Sequence, residues 1–434
     1  AMHGDHTFVL KGGFSLRLKN MLGDAEFAKY WIGQTFSVFG SNIATFALPL
    51  MATFYLEVSP GELGLLQAMS GIPFLLFSLF IGVMVDRVRR LRLMIVSDFF
   101  RAALIGLIPV FYLLDGLTIW HLYFVALGVG VLSVMFETAY QAFLPGFVGK
   151  DRLVDANSAL QFSQSLSQIS GPGAAGVLVN LVAAPLAMIV NGLTFLASAV
   201  ALARIRFRET VPGAATSLAA QLQDVTGGLR VLLGHAVLRP LTLAMGSINL
   251  FFSAFLAAYY PYLKNHLGFT SFHTGLVLSV GALGAVAAVF TAWRLAAGLT
   301  PGAVVIFAEA LFALGAWLVP LAGGPRALQA AMVVGAALVA FYGGASANIM
   351  AVTICQKVTP DRLLGRVSAA SKFFLGGLAP VGAILGGVLA EYLGLRLTLF
   401  IAAGGITLMA SWLAVSRLRK ASDSSLESEY AITA

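Results

Sequence analysis

The chain has 434 residues, of which 59% are hydrophobic and only 11% charged, with a mean hydropathy of +0.89, which excludes an ordinary soluble domain. The formal charge of +8 is carried largely by turns between apolar stretches and so follows membrane topology, with no nucleic-acid surface implied. Cys355 is the only cysteine, which leaves no disulfide framework and no thiolate metal site, and the six scattered histidines suggest no metal centre.

In chain order, twelve apolar stretches long enough to span a bilayer lie at 28–56, 63–85, 93–114, 118–143, 156–181, 185–204, 241–263, 273–297, 301–321, 327–356, 365–391 and 395–417. The first starts too far in, and runs too long, for a cleaved signal peptide. The turns on one side carry Arg87, Arg89, Arg90, Arg92, Lys150, Arg152, Arg204, Arg206, Arg208, Lys357, Arg362 and Arg366, while the other side holds only Lys264, Arg326 and Arg396. Positive charge stays cytoplasmic, so both termini are expected inside, in a multi-pass protein of the membrane.

The chain repeats itself. A shift of 210 residues lays Asp151-Arg152-Leu153 on Asp361-Arg362-Leu363 and Gly176 on Gly386; one further residue of shift lays Gly64 on Gly275 and Asp98 on Glu309. The expected fold is an all-α membrane protein of twelve transmembrane helices in two six-helix pseudo-symmetric halves. Its parts are a cytoplasmic segment 1–27, a first bundle 28–204, a linker 205–240, a second bundle 241–417 and a disordered tail 418–434. In the linker, Leu222, Val225, Leu229 and Leu232 recur at helical spacing opposite Gln221, Asp224 and Arg230, which predicts an amphipathic helix over Leu218 to Leu233.

Ionisable groups within apolar spans cost about 2.5–3.5 kcal/mol each, so each needs a reason. Asp98 and Arg101, three apart on one helix, are spaced to pair with each other. Glu137 has no cation near it in sequence, and an acidic group in such a span is a candidate proton carrier; Asp98 and Glu309 are further candidates. The repeat places Phe312 where Arg101 stands, so Glu309 lacks that partner. Polar stripes mark the first span (Gln34, Ser41, Asn42, Thr45), the seventh (Asn249) and the tenth (Tyr342, Ser346), with the aromatics Phe136, Tyr140 and Phe252 among them. In a membrane helix such stripes turn inward, and aromatic walls with few fixed charges suit an amphipathic small molecule better than a sugar.

Gly82-Val-Met-Val-Asp86-Arg87-Val-Arg89-Arg90 resembles the G-x-x-x-D-R-x-x-R loop between the second and third helices of major facilitator superfamily transporters. The resemblance implies a gating motif of Gly82, Asp86, Arg87 and Arg90, with Arg101 within its network. Where Gly82 and Asp86 stand, the second half has Trp293 and Ala297, so the two ends lack matching latches. Gly171-Pro172-Gly173-Ala-Ala-Gly176 resembles the G-P-x-x-G motif of antiporter members. Leu153-Val-Asp-Ala-Asn-Ser-Ala-Leu-Gln-Phe is similar to the branch holding macrolide-efflux and enterobactin-exporter proteins.

That branch implies proton-driven export of hydrophobic drugs or siderophores from the bacterial cytoplasm; the chain is expected to be a monomer of the inner membrane, with an amphipathic small molecule, protons and membrane lipid as partners and with no cofactor and no enzymatic activity. The chain has no G-x-x-x-x-G-K-[ST] phosphate loop, so nothing in it supports direct ATP drive. The same fold also admits a siderophore exporter or a lipid or lysolipid transporter. A receptor or sensor that transports nothing is the alternative of another class.

Overall fold

Each apolar stretch forms one helix. The computed structural model describes residues 21, 23–85, 87–149, 152–182, 184–207, 209 and 217–420. The first half comprises α1 (Ala25–Phe54), α2 (Pro60–Val85), α3 (Arg90–Leu113), α4 (Ile119–Val148), α5 (Leu153–Leu181) and α6 (Ala184–Ala203). The linker helix is α7 (Leu218–Gly234). The second half comprises α8 (Leu238–Asn265), α9 (Ser271–Gly298), α10 (Pro301–Leu318), α11 (Arg326–Val358), α12 (Asp361–Leu393) and α13 (Leu395–Val415). The segment 1–20, the tail beyond 420 and Asp86 lie outside the described residues.

Helix ends follow local chemistry. Asp24 caps α1 by accepting from the backbone N–H of Glu26 (3.1 Å) and Phe27 (3.4 Å). The hydrogen bond from Arg152 holds the Asp24 carboxyl below the usual carboxylate range. Thr118 and His121 form a capping box at α4, and Thr300 caps α10 ahead of Pro301. Thus His121, one of the six scattered histidines, caps a helix.

Eleven helices among the described residues are long and apolar enough to cross a membrane. The remaining partner of the twelvefold plan, α5, is too polar, because its first half carries Gln161, Ser163, Gln164, Ser165, Ser167 and Gln168. Its two buried serines are satisfied against α1: Ser167 hydrogen-bonds Asn42 (3.0 Å) and the Val38 carbonyl (3.2 Å), and Ser163 meets Thr35 (2.8 Å).

The repeat is structural. Helices α2 and α9, α3 and α10, and α6 and α13 start 211 residues apart: 60 and 271, 90 and 301, 184 and 395. The halves meet along α2 on α12 and α5 on α9. Each contact closes on glycine: a Cβ on Gly64 would lie 2.9 Å from the Gly387 Cα, and one on Gly176 would lie 2.7 Å from the Gly275 Cα. Under a shift of 211, Gly64 falls on Gly275 and Gly176 on Gly387, so the two contacts are images of one another. The sequence alignment of Gly176 with Gly386 is therefore one residue out. Gly386 packs instead on Ala254 of α8, within its own half.

The glycine contacts lie near the starts of α2 and α9, at the end of the molecule away from the linker. At that far end Lys264 of α8 reaches across to Glu57 (2.7 Å) and the Thr53 carbonyl (3.0 Å) of the other half. Lys264 holds the Glu57 carboxyl below the usual carboxylate range. Toward the linker end, Gln161 and Gln168 of α5 and Lys372 of α12 are exposed. The halves are sealed at the far end and part toward the linker end.

Candidate functional site

The interior between α1, α3 and α4 is built on one buried cation. Arg101 is 1% exposed and Asp98 is fully buried, and they form an ion pair three residues apart on α3. Ser37 of α1 donates to Asp98 (3.2 Å) and accepts from Arg101 (3.0 Å). Arg101 also donates to Ser41 of α1 (3.3 Å) and Ser133 of α4 (3.4 Å). Its guanidinium lies between the Phe136 and Phe195 rings, 4.4 and 4.5 Å from their centroids, a cation–π arrangement that favours the charged form in an apolar surround. A buried charge is tolerable only when paired and hydrogen-bonded, and this one is.

Glu137 stands one turn beyond Ser133 on α4, on the face that Ser133 turns to Arg101, and its side chain is exposed. Tyr140, three residues further, stacks on Tyr30 of α1 at 6.5 Å. Glu137 therefore faces the interior between α1 and α4. The absence of a cation near it in sequence does not extend to space: Arg101 lies within electrostatic reach.

The repeat inverts this chemistry in the second half. A shift of 211 replaces Arg101 by Phe312, Ser41 by Phe252 and Ser133 by Gly344. The Phe252 and Phe312 rings pack at 5.2 Å, and Gly344 abuts the Phe312 ring. Polar triad becomes aromatic cluster. Glu137 falls on Asn348, which is likewise exposed, a residue that the sequence reading missed and the 211-residue shift identifies. Glu309, the image of Asp98, is 2% exposed, and its Oε2 has no hydrogen-bond partner among the described residues.

The remaining stripe residues divide. Thr45 is exposed, and Ser41, Asn42, Asn249, Phe252 and Tyr342 are half-buried, with the Tyr342 hydroxyl hydrogen-bonded to Thr291 (3.0 Å). Gln34, Phe136 and Ser346 are buried in helix packing, so they support the walls from behind. Gly171 packs on Asn42, Gly173 on Ser279 and Gly176 on Gly275, while the Pro172 carbonyl lies against Gly275. The glycine–proline segment thus joins α5 to α1 and to α9 of the other half.

Among the described residues of the charged turn after α2, the arginines point to different partners. Arg87 is exposed, Arg90 donates to the Ala142 carbonyl of α4 (2.9 Å), and Arg101 lies three turns deeper. At the start of α3 it is Glu209 that accepts from the Leu91 N–H (3.1 Å), a carboxylate at a helix N-terminus supplied by the linker. Gly82 abuts the side chain of Gln221 on α7. Nothing in the spacing of Gly82 and Gln221 announces that contact.

The model of the Major Facilitator Superfamily matches residues 30–381. Macrolide efflux protein A of Streptococcus pyogenes is 26% identical over 384 residues, covering 86% of this chain and 91% of its own. Enterobactin exporter EntS of Escherichia coli O127:H6 is 23% identical over 372 residues, covering 82% and 83%. Among solved structures, a bacterial homologue of the iron transporter ferroportin in an inward-facing state superposes with a TM-score of 0.69 at 16% identity, covering 92% of this chain and 98% of that one. The family decides between a transporter and a receptor that moves nothing. With its two related halves, polar interior and matching sequence over most of its length, this chain is a multi-pass membrane transporter of the Major Facilitator Superfamily.

Proposed function

We propose that the protein is a proton-coupled antiporter that exports amphipathic small molecules across the bacterial inner membrane by alternating access. The observation that carries the reading is Glu137, an exposed carboxyl on the interior face of α4 one turn from the Ser133–Arg101 contact. Basic residues on the linker side support cytoplasmic termini, which makes the arrangement open to the cytoplasm. A cargo entering there meets Ser41, Asn42 and Thr45 on one wall and Phe252 on the other, so polar and apolar faces of one molecule are both accommodated. The efflux activity named for the macrolide relative supports the direction.

Uphill export needs a coupled gradient, and one charge moving through 100 mV supplies about 2.3 kcal/mol. Glu137 is the group that takes up the proton in one conformation and releases it in the other. Asp98 is committed to Arg101, and Glu309 is enclosed, which leaves them as secondary sites. Glu137→Gln keeps shape and hydrogen bonding but cannot ionise. In proteoliposomes it should abolish macrolide accumulation driven by a pH gradient, while equilibrium binding survives and loses its pH dependence. Retained uphill transport by this variant would assign Glu137 a structural role. The likeness to an enterobactin exporter makes a siderophore the alternative cargo, and competition between macrolide and siderophore for binding separates the two.

A further inference from the structure

The glycine that opens the charged turn is matched to a side chain of the linker helix. A Cβ on Gly82 would lie 2.9 Å from both the nitrogen and the oxygen of the Gln221 carboxamide. With the amide turned so that its nitrogen faces the Leu79 carbonyl, the orientation in which both of its polar atoms find complementary partners, it donates to that carbonyl (2.7 Å) and accepts from the Val83 N–H (3.2 Å). These two backbone groups pair with each other in a regular helix, so Gln221 docks on the hydrogen-bond ladder of the last turns of α2.

The rest of α7 belongs to the second half. Asp224 pairs with Arg366 of α12 at 2.7 Å. Gly228 sits against the Arg366 carbonyl and Ala370. Leu229 and Leu232 enter an apolar cluster with Val237, Leu238, Leu241, Val367 and Ala370. Gln221 is thus carried by one half and docked on the other.

We infer that Gln221 is a pin that holds the halves in the arrangement open at the linker end, with Gly82 as its socket. Gly71 packs on Pro380 midway along α2 and marks the crossing of the two halves. From there to Gly82 is about 16 Å of helix at 1.5 Å per residue. A rigid-body rotation of roughly 10° about that crossing displaces the socket by about 3 Å, more than a hydrogen bond tolerates. Closing the linker end therefore requires the pin to leave its socket, and the contact favours the open arrangement alone.

Gln221→Met keeps length and removes both hydrogen bonds. Gly82→Ala fills the socket and expels the amide. The readout is a distance distribution between spin labels on cysteines at Arg92 and Thr300, which lie at the linker-end starts of α3 and α10, one in each half, in a Cys355→Ser background. Each variant should raise the population closed at that end by roughly fivefold, the scale of one or two net hydrogen bonds. The double variant should shift no further than either single one. Unchanged distributions in folded Gln221→Met protein would overturn the pin, and so would a Gly82→Ala shift of equal size with and without Gln221. A loss of proton coupling would leave these distances untouched, so the pin and the role of Glu137 fail separately.

Discussion

Arg101 sits where three helices converge, and its worth is set by what it leaves behind when removed. Arg101→Met strands Asp98 in a fully buried position, and breaking a buried pair in this way costs about 3–5 kcal/mol. Thermal unfolding in detergent should show a large fall in midpoint. The double replacement Asp98→Leu with Arg101→Met should recover most of it, because apolar residues replace a buried pair at little cost. A double variant as unstable as the single one would show that the serines and rings around Arg101 depend on its charge. The pairing itself was legible, since Asp98 and Arg101 are three apart on one helix. The partners Ser37, Ser41 and Ser133, and the rings of Phe136 and Phe195, were not, because they arrive from three other helices far off in sequence. Glu137 shows the same limit, for its nearest cation is a neighbour in space alone.

At the scale of helices, hydropathy placed twelve helices to within about five residues, eleven of them apolar enough to cross a membrane, because a bilayer demands one long apolar run per crossing. What one run could not announce is which other run it meets. The motif Gly171-Pro172-Gly173 reads as a place for tight packing, yet its partners Ser279 and Gly275 become visible only in three dimensions. The repeat narrows the choice, since Gly64 and Gly275 are images and each lies at a contact between halves. These glycines admit backbone to backbone, so a side chain there has no flexible neighbour to displace. Gly176→Leu places its Cβ 2.7 Å from the Gly275 Cα and 3.0 Å from the Ser271 carbonyl, and overpacking of this kind costs about 1–3 kcal/mol. The far end should then open, with roughly tenfold or greater gain in labelling of a cysteine at Ser279 by a membrane-impermeant reagent added from that side. Unaltered labelling of folded protein would mean that the seal lies elsewhere, at the Lys264–Glu57 bridge.

Across the whole molecule, the two halves share a backbone plan and differ in chemistry. One presents Arg101, the serines and Glu137; the other presents Phe252, Phe312 and Asn348 in the corresponding places. The family and the plan of two related halves were readable from motifs and repeat, while this division of labour required the halves to be superposed in space. A carrier with charge on one side and aromatic surface on the other suits a cargo that is itself divided, and in the proposed function Glu137, an exposed carboxyl on the interior face of α4, ties cargo movement to protons. The measurement that bears most directly on this account is counterflow in proteoliposomes holding the purified native protein. A radiolabelled macrolide is present at equal concentration on both sides, and a pH gradient is imposed with the membrane potential clamped at zero. The account predicts that the macrolide accumulates against its own gradient on the acidic side while protons leave that compartment, and that a protonophore abolishes the accumulation. Equilibration of the macrolide without accumulation, at a rate indifferent to the pH gradient, would contradict it.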